Sequence, residues 1–186
     1  ITNQIKENIF KAAEGSDISI VEIGGTVGDI ESLPFLETIR QIRYDLGPEN
    51  VCYIHLTLVP YISAAKELKT KPTQHSVRDL RQIGIQPDIL VCRAERPVPE
   101  DQKLKIAQFC NIKRDRVFEA QDADSIYRVP LVLHGQGFDQ ALVEVLNIWT
   151  GEPDLAEWRA ITHALDNPKT SVKIGVVGKY VGVVDS

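Results

Sequence analysis

Four short apolar runs, separated by stretches whose apolar residues recur at helical spacing, constrain what this chain can fold into. They are "ISIVEI" (Ile18–Ile23), "VCYIHLTLVP" (Val51–Pro60), "DILVCRA" (Asp88–Ala94) and "RVFEA" (Arg116–Ala120). Runs of this length, rich in β-branched residues, read as buried strands. Ile5, Ile9 and Ala12 or Ala13 mark an amphipathic helix near residues 1–14. Leu36, Ile39, Ile42 and Leu46 line one face of a helix that opens around Ser32 and Pro34 and stops at Gly47. Val77 and Leu80 place a helix from about His75 to Ile83, and Pro99 starts another running to about Phe109. Phe138, Leu142 and Val145 give one more. Strands alternating with helices at this spacing predict βαβ units. The expected fold is α/β, with a mostly parallel sheet carrying helices on both faces.

The 186 residues suffice for one sizeable core. With 21 Lys+Arg against 26 Asp+Glu, the net charge of −5 carries no general footprint for nucleic acid or membrane, though a local basic patch is compatible with it. No apolar run approaches the roughly 20 residues of a membrane helix, and no secretory signal opens the chain. A cytoplasmic location is therefore expected. The chain contains no Met and begins with Ile, which reads as an internal piece of a longer protein. Cys52, Cys92 and Cys110 sit among apolar neighbours without C-x-x-C spacing, so they are expected to pack as small hydrophobes. The four histidines form no metal-ligand pattern. After Trp149 the organisation changes. One amphipathic helix lies between Pro and Gly punctuation, and "VKIGVVGKY" then starts a further apolar strand. The expected division is a domain over residues 1–148, a linker with a helix over 149–171, and the first strand of a second α/β domain over 172–186.

Two segments carry chemistry. In "VEIGGTVGDIES" (Val21–Ser32), Glu22 ends an apolar run, and Gly24 and Gly25 permit a sharp turn and close approach of a ligand. Asp29 and Glu31 add two acids before the next helix. A carboxylate at a strand's carboxyl end suits a hydrated Mg²⁺ shared with phosphates; the same features also fit a turn whose acids cap the following helix. In "AKELKTKPTQHSVRDL" (Ala64–Leu80), Lys66, Lys69 and Lys71 surround Pro72, with Thr70, Thr73 and Gln74 beside them. Pro72 is expected to hold this segment as an extended loop. Lysine supplies point charge to polyphosphate, while Gln and Thr can read a base or sugar edge. A solvated charged loop accounts for the same lysines. Lys105, by spacing, is a surface lysine. "QDADSIYRVP" (Gln121–Pro130) follows the last strand as a loop able to touch a base or ribose, or to cap a helix. No nucleophile elbow and no complete G-x-x-x-x-G-K-[ST] phosphate loop is present.

"VEIGGTVGDIESLPFLETIRQ", "ELKTKPTQHSVRDLRQIGIQPDILVCR" and "DADSIYRVPL" resemble, in one order along essentially the whole chain, the CTP synthases, glutamine-dependent ligases that aminate UTP. The resemblance implies the larger, C-terminal part of the synthetase (amidoligase) domain. That domain is phosphate-loop NTPase-like, akin to dethiobiotin synthetase, and here incomplete at its N-terminus. The linker and the start of the glutaminase domain follow it. Glu22 then matches the family's Mg²⁺-ligating glutamate. Asp29, Ile30 and Glu31 match the segment that senses CTP as feedback inhibitor. Lys69, Thr70, Lys71, Pro72, Thr73 and Gln74, with Lys105, match the UTP/CTP contacts. Gln121, Asp122 and Ala123 fall where the family touches ATP. The resemblance further implies GTP and glutamine as ligands of the full enzyme, a homotetramer, and no nucleic acid or membrane partner. The family's glycine-rich loop and glutaminase residues have no counterpart in this stretch, so the piece is expected to be inactive alone. A related amidoligase, such as a dethiobiotin or cobyrinate amide synthetase, and a non-catalytic assembly module are the competing readings.

Overall fold

A computed structural model of the chain describes residues 1–179 and 181–182. In chain order, α1 (Thr2–Ala13) and α2 (Leu33–Leu46) precede β1 (Ile54–Leu58), a hairpin of β2 (Tyr61–Ile62) and β3 (Glu67–Leu68), and α3 (Lys71–Gln82). Then come β4 (Ile89–Ala94), α4 (Glu100–Cys110), β5 (Val117–Gln121), α5 (Val129–Gly135), α6 (Phe138–Val145) and α7 (Ala156–Asp166). β1, β4 and β5 form a parallel sheet in the order β1-β4-β5, with Leu56 opposite Val91 and Val91 opposite Phe118. The α/β fold with a parallel sheet flanked by helices is as the alternation predicts.

β4 shows why its run is continuously apolar. Successive side chains of a strand point to opposite faces, and both faces here are covered. Leu90 and Cys92 join Val77 of α3 and Ile106, Ala107 and Cys110 of α4. Ile89 and Val91 join Phe118 and Ala141, with Phe138, Leu142 and Val145 of α6 against them. Phe118 and Phe138 meet edge to face, with centroids 5.3 Å apart. All three cysteines are free; Cys92 and Cys110 are buried and Cys52 partly so. Burial pushes the Cys92 thiol up to about 11 and that of Cys110 up to about 12, which leaves them as packing groups.

A third cluster of Leu36, Tyr53, Leu80 and Ile85 seats α2 beside the sheet. Arg43 of α2 makes a two-pronged pair with Asp88 (2.7 and 3.0 Å), and Asp88 also accepts the Tyr53 amide at 2.8 Å. α2 ends at Gly47, whose φ of 88° is one that glycine adopts without strain. α1 forms where the periodicity places it, but none of its residues is fully buried; Lys6 pairs with Asp45 of α2 at 2.5 Å. Leu46, expected on the inner face of α2, is exposed. Helix α7 docks through Trp158 on Tyr127 and through the Arg128–Asp166 ion pair. No helix among the described residues is long and apolar enough to cross a membrane.

Three expectations are corrected. "ISIVEI" forms no strand, and Ile20 is 94% exposed. β-forming side chains do not make a strand without a neighbour for the backbone amides, and no described strand pairs with residues 18–23. The outer edge of β1 is likewise unpaired among the described residues, with Leu56 61% exposed. For the same reason residues 172–179 of "VKIGVVGKY" form no strand, with Val172, Ile174, Val176 and Val177 all exposed; Tyr180 lies outside the described residues. Finally, Pro72 does not hold an extended loop. It occupies the first turn of α3, which starts at Lys71 rather than near His75. A proline there sacrifices no intrahelical bond, since the first amides have none to make. The segment before it is an antiparallel hairpin, with Tyr61 opposite Leu68 and Ile62 opposite Glu67.

Candidate functional site

Parallel strands bring their carboxyl ends to one edge, where ligands of open α/β sheets bind. Here that edge holds a cleft of about 360 Å³ between Leu58, Pro60, Tyr61, Arg93, Glu95 and Asp122. The ladder continues into it: the Val59 amide donates to Arg93 O at 2.8 Å, and the Asp122 amide to Ala94 O at 3.1 Å. Arg93 spans the cleft's rim, donating to Asp122 Oδ1 at 2.7 Å and to Ala120 O at 3.0 Å. Arg96 lies 3.7 Å above the Tyr61 ring. Of the residues matched to ATP, Asp122 therefore lines the cleft. Gln121 ends β5 opposite Ala94, and Ala123 follows exposed.

Residues 69–74 adjoin this edge from the α3 side. The Lys69 amide donates to Pro60 O at 2.9 Å, closing the hairpin. Thr70 is buried; its hydroxyl accepts from Gln74 Nε2 at 3.0 Å and its carbonyl from the Gln74 amide at 3.1 Å. Thr73 is fully buried. Its hydroxyl donates to Leu58 O at 3.2 Å and sits 3.1 Å from Thr57 Oγ1. Thr70 and Thr73 thus fasten the start of α3, leaving Lys71 exposed and Lys69 and Gln74 half-buried. The amino end of a helix offers unpaired amides and a positive potential to an anion. Lys69 Nζ pairs with Glu67. That contact holds the Glu67 carboxyl below the usual range, and the charge of Lys105 on α4 adds to it.

The acidic loop is organised by Asp29. One carboxylate oxygen accepts the Thr26 amide at 2.8 Å, and the Asp29 carbonyl accepts the Ser32 hydroxyl at 2.8 Å. Gly25 has φ +87°, and a Cβ there would lie 3.1 Å from Asp29 Oδ2, so the turn requires glycine. Ile23 and Val27 anchor the loop on the α2 cluster. Glu22, Ile30 and Glu31 are exposed, and no hydrogen bond or ion pair among the described residues engages either glutamate side chain. Among the described residues no hydrogen bond or ion pair joins residues 22–31 to residues 69–74. No group of three His, Cys, Asp or Glu side chains fit to cage a metal is present among them either. One unengaged carboxylate is nevertheless what a hydrated, phosphate-shared Mg²⁺ asks of a protein, so Glu22 fits that role.

Sequence reasoning passed over Arg93, Tyr61 and Glu67. Arg93 had a visible signal, a charge at the carboxyl end of an otherwise apolar strand. Tyr61 and Glu67 had none, because two-residue strands leave no periodicity to read.

The family model for the CTP synthase N-terminus matches residues 1–148. The CTP synthases of Geobacter metallireducens and Geobacter sulfurreducens are 59% and 57% identical to this chain over all of it, and that of Syntrophus aciditrophicus is 56% identical. In each case the match covers 35% of the relative, so the chain spans about a third of the length of these curated relatives. The chain belongs to the CTP synthase family.

Proposed function

We propose that this chain is the pyrimidine-nucleotide part of a ligase that converts UTP to CTP with ATP and glutamine-derived ammonia. Residues 1–148 form most of its synthetase domain, 149–171 the linker, and 172–186 the entry into the glutaminase domain. The observation that carries the reading is the start of α3. There, buried Thr70 and Thr73 hold Lys69, Lys71 and Gln74 beside the strand ends. Cations around a helix amino end suit a triphosphate, and Gln74 can donate to a base or sugar.

On this reading, ATP phosphorylates the 4-oxygen of UTP and ammonia displaces the phosphate. Lys69, Lys71 and Lys105 neutralise the UTP triphosphate, while Asp122 and the backbone at Gln121 and Ala123 position ATP beside the cleft. Glu22 would hold Mg²⁺, which would supply charge neutralisation to the phosphates. Asp29, Ile30 and Glu31 form the contact through which CTP inhibits. The full-length protein is a cytoplasmic homotetramer that also binds GTP and glutamine.

The test is thermal melting of the full-length protein with Mg²⁺ and UTP, CTP or GTP. A pyrimidine triphosphate at about 100 times its dissociation constant adds roughly 2.7 kcal/mol to the native state. Lys69→Ala is expected to shrink the UTP shift and leave the GTP shift in place. Equal UTP stabilisation of wild type and Lys69→Ala contradicts the assignment.

A further inference from the structure

Glu67 and Lys69 stand two residues apart at the end of β3, so the extended backbone directs both side chains to one face, where they pair. The platform beneath them is fixed. Ile62 pairs with Glu67 across the hairpin, the Lys69 amide is held by Pro60 O at 2.9 Å, and Arg96 clamps Tyr61 from 3.7 Å. Lys66, at φ +51°, turns the chain into β3. Glu67 and Lys69 are each about half exposed, at 51% and 45%. An exposed pair of this kind contributes little to stability. Its consequence is for ligands, because Glu67 places a negative charge against a lysine that the nucleotide site needs.

We propose that Glu67 is an affinity-setting counter-ion of the nucleotide site, holding the Lys69 ammonium in the free protein and exchanged for a phosphate oxygen when a pyrimidine triphosphate binds. The inference rests on the assignment of Lys69 to that triphosphate. The charge of Lys105 on α4 bears weakly on the same carboxylate, whose one ion pair is with Lys69. A triphosphate carries more charge than a carboxylate and displaces it, but binds less tightly for having to do so. Glu67 thereby weakens retention of both UTP and the product CTP, which share the triphosphate.

Steady-state kinetics of the full-length protein test this. Glu67→Gln keeps the shape and removes the charge. It is expected to lower the KM for UTP roughly two- to five-fold, the size of an exposed ion pair. It should leave the KM for glutamine unaltered and strengthen competition by inorganic tripolyphosphate to the same degree. Glu67→Ser, which also removes the carboxylate, gives the same direction. An unchanged or raised KM for UTP in both variants overturns the inference. Lys69→Ala, measured in parallel, separates the two levels of the claim. If it raises the UTP KM while both Glu67 variants match wild type, the Glu67 role alone falls. If it too leaves the UTP KM unchanged, the pyrimidine site itself is misassigned.

Discussion

The Thr73 hydroxyl donates to the Leu58 carbonyl at 3.2 Å, fastening the first turn of α3 to the carboxyl end of β1. The placement of the candidate site depends on this bond, because the same turn carries Lys71 and directly follows Lys69. Thr73→Val keeps the volume but leaves buried polar groups unsatisfied. It is expected to cost about 1–3 kcal/mol and to raise the KM for UTP, whereas Thr73→Ser retains most of both. Denaturant melts and UTP kinetics of the two variants check this; equal behaviour of Val and Ser contradicts it.

Glu22 is exposed and makes no hydrogen bond or ion pair among the described residues, so its removal leaves their packing intact. Glu22→Ala in the full-length protein is expected to melt with the wild type while abolishing CTP formation at ordinary Mg²⁺ concentration. Normal activity in this variant excludes Glu22 as a metal ligand.

His55 is largely buried against α3, with Nε2 2.8 Å from Ser76 Oγ, and burial lowers its pKa. Protons therefore bind the unfolded imidazole more readily than the folded one. Stability is full above the unfolded value of about 6.5 and falls as pH drops from there toward the depressed folded value. His55→Gln is expected to flatten that part of the profile. Parallel melting-temperature profiles for wild type and variant, between about pH 7.5 and 5, contradict it.

Arg43, Asp88 and Tyr53 join α2 to the entry of β4, with Arg43 also 4.8 Å above the Tyr53 ring. Asp88→Ala strands the guanidinium and the Tyr53 amide, both partly buried. A loss of about 2–3 kcal/mol is expected, read by denaturant unfolding. Asp88→Asn, which can still accept the Tyr53 amide, is expected to lose less.

How much of this was legible follows from where each signal resides. β4 and the end of α2 at Gly47 were readable because burial on both faces and a left-handed cap leave marks in the local sequence. The mark at Pro72 was read with the wrong sign, since the same ring that breaks a helix interior opens a helix at its first turn. "ISIVEI" has strand composition, but pairing is a property of neighbours. The candidate site divides the same way. Resemblance points to Lys105, which spacing alone leaves as a surface lysine, and only the fold pairs Glu67 with Lys69.

The central claim is that the lysines around the start of α3 and on α4 bind a pyrimidine triphosphate. Calorimetric titration of UTP with Mg²⁺ into the full-length protein, and into its Lys69→Ala/Lys105→Ala variant, tests it most directly. Loss of two charged contacts is expected to raise the dissociation constant by at least roughly a hundred-fold. An unchanged constant in the folded variant contradicts the account.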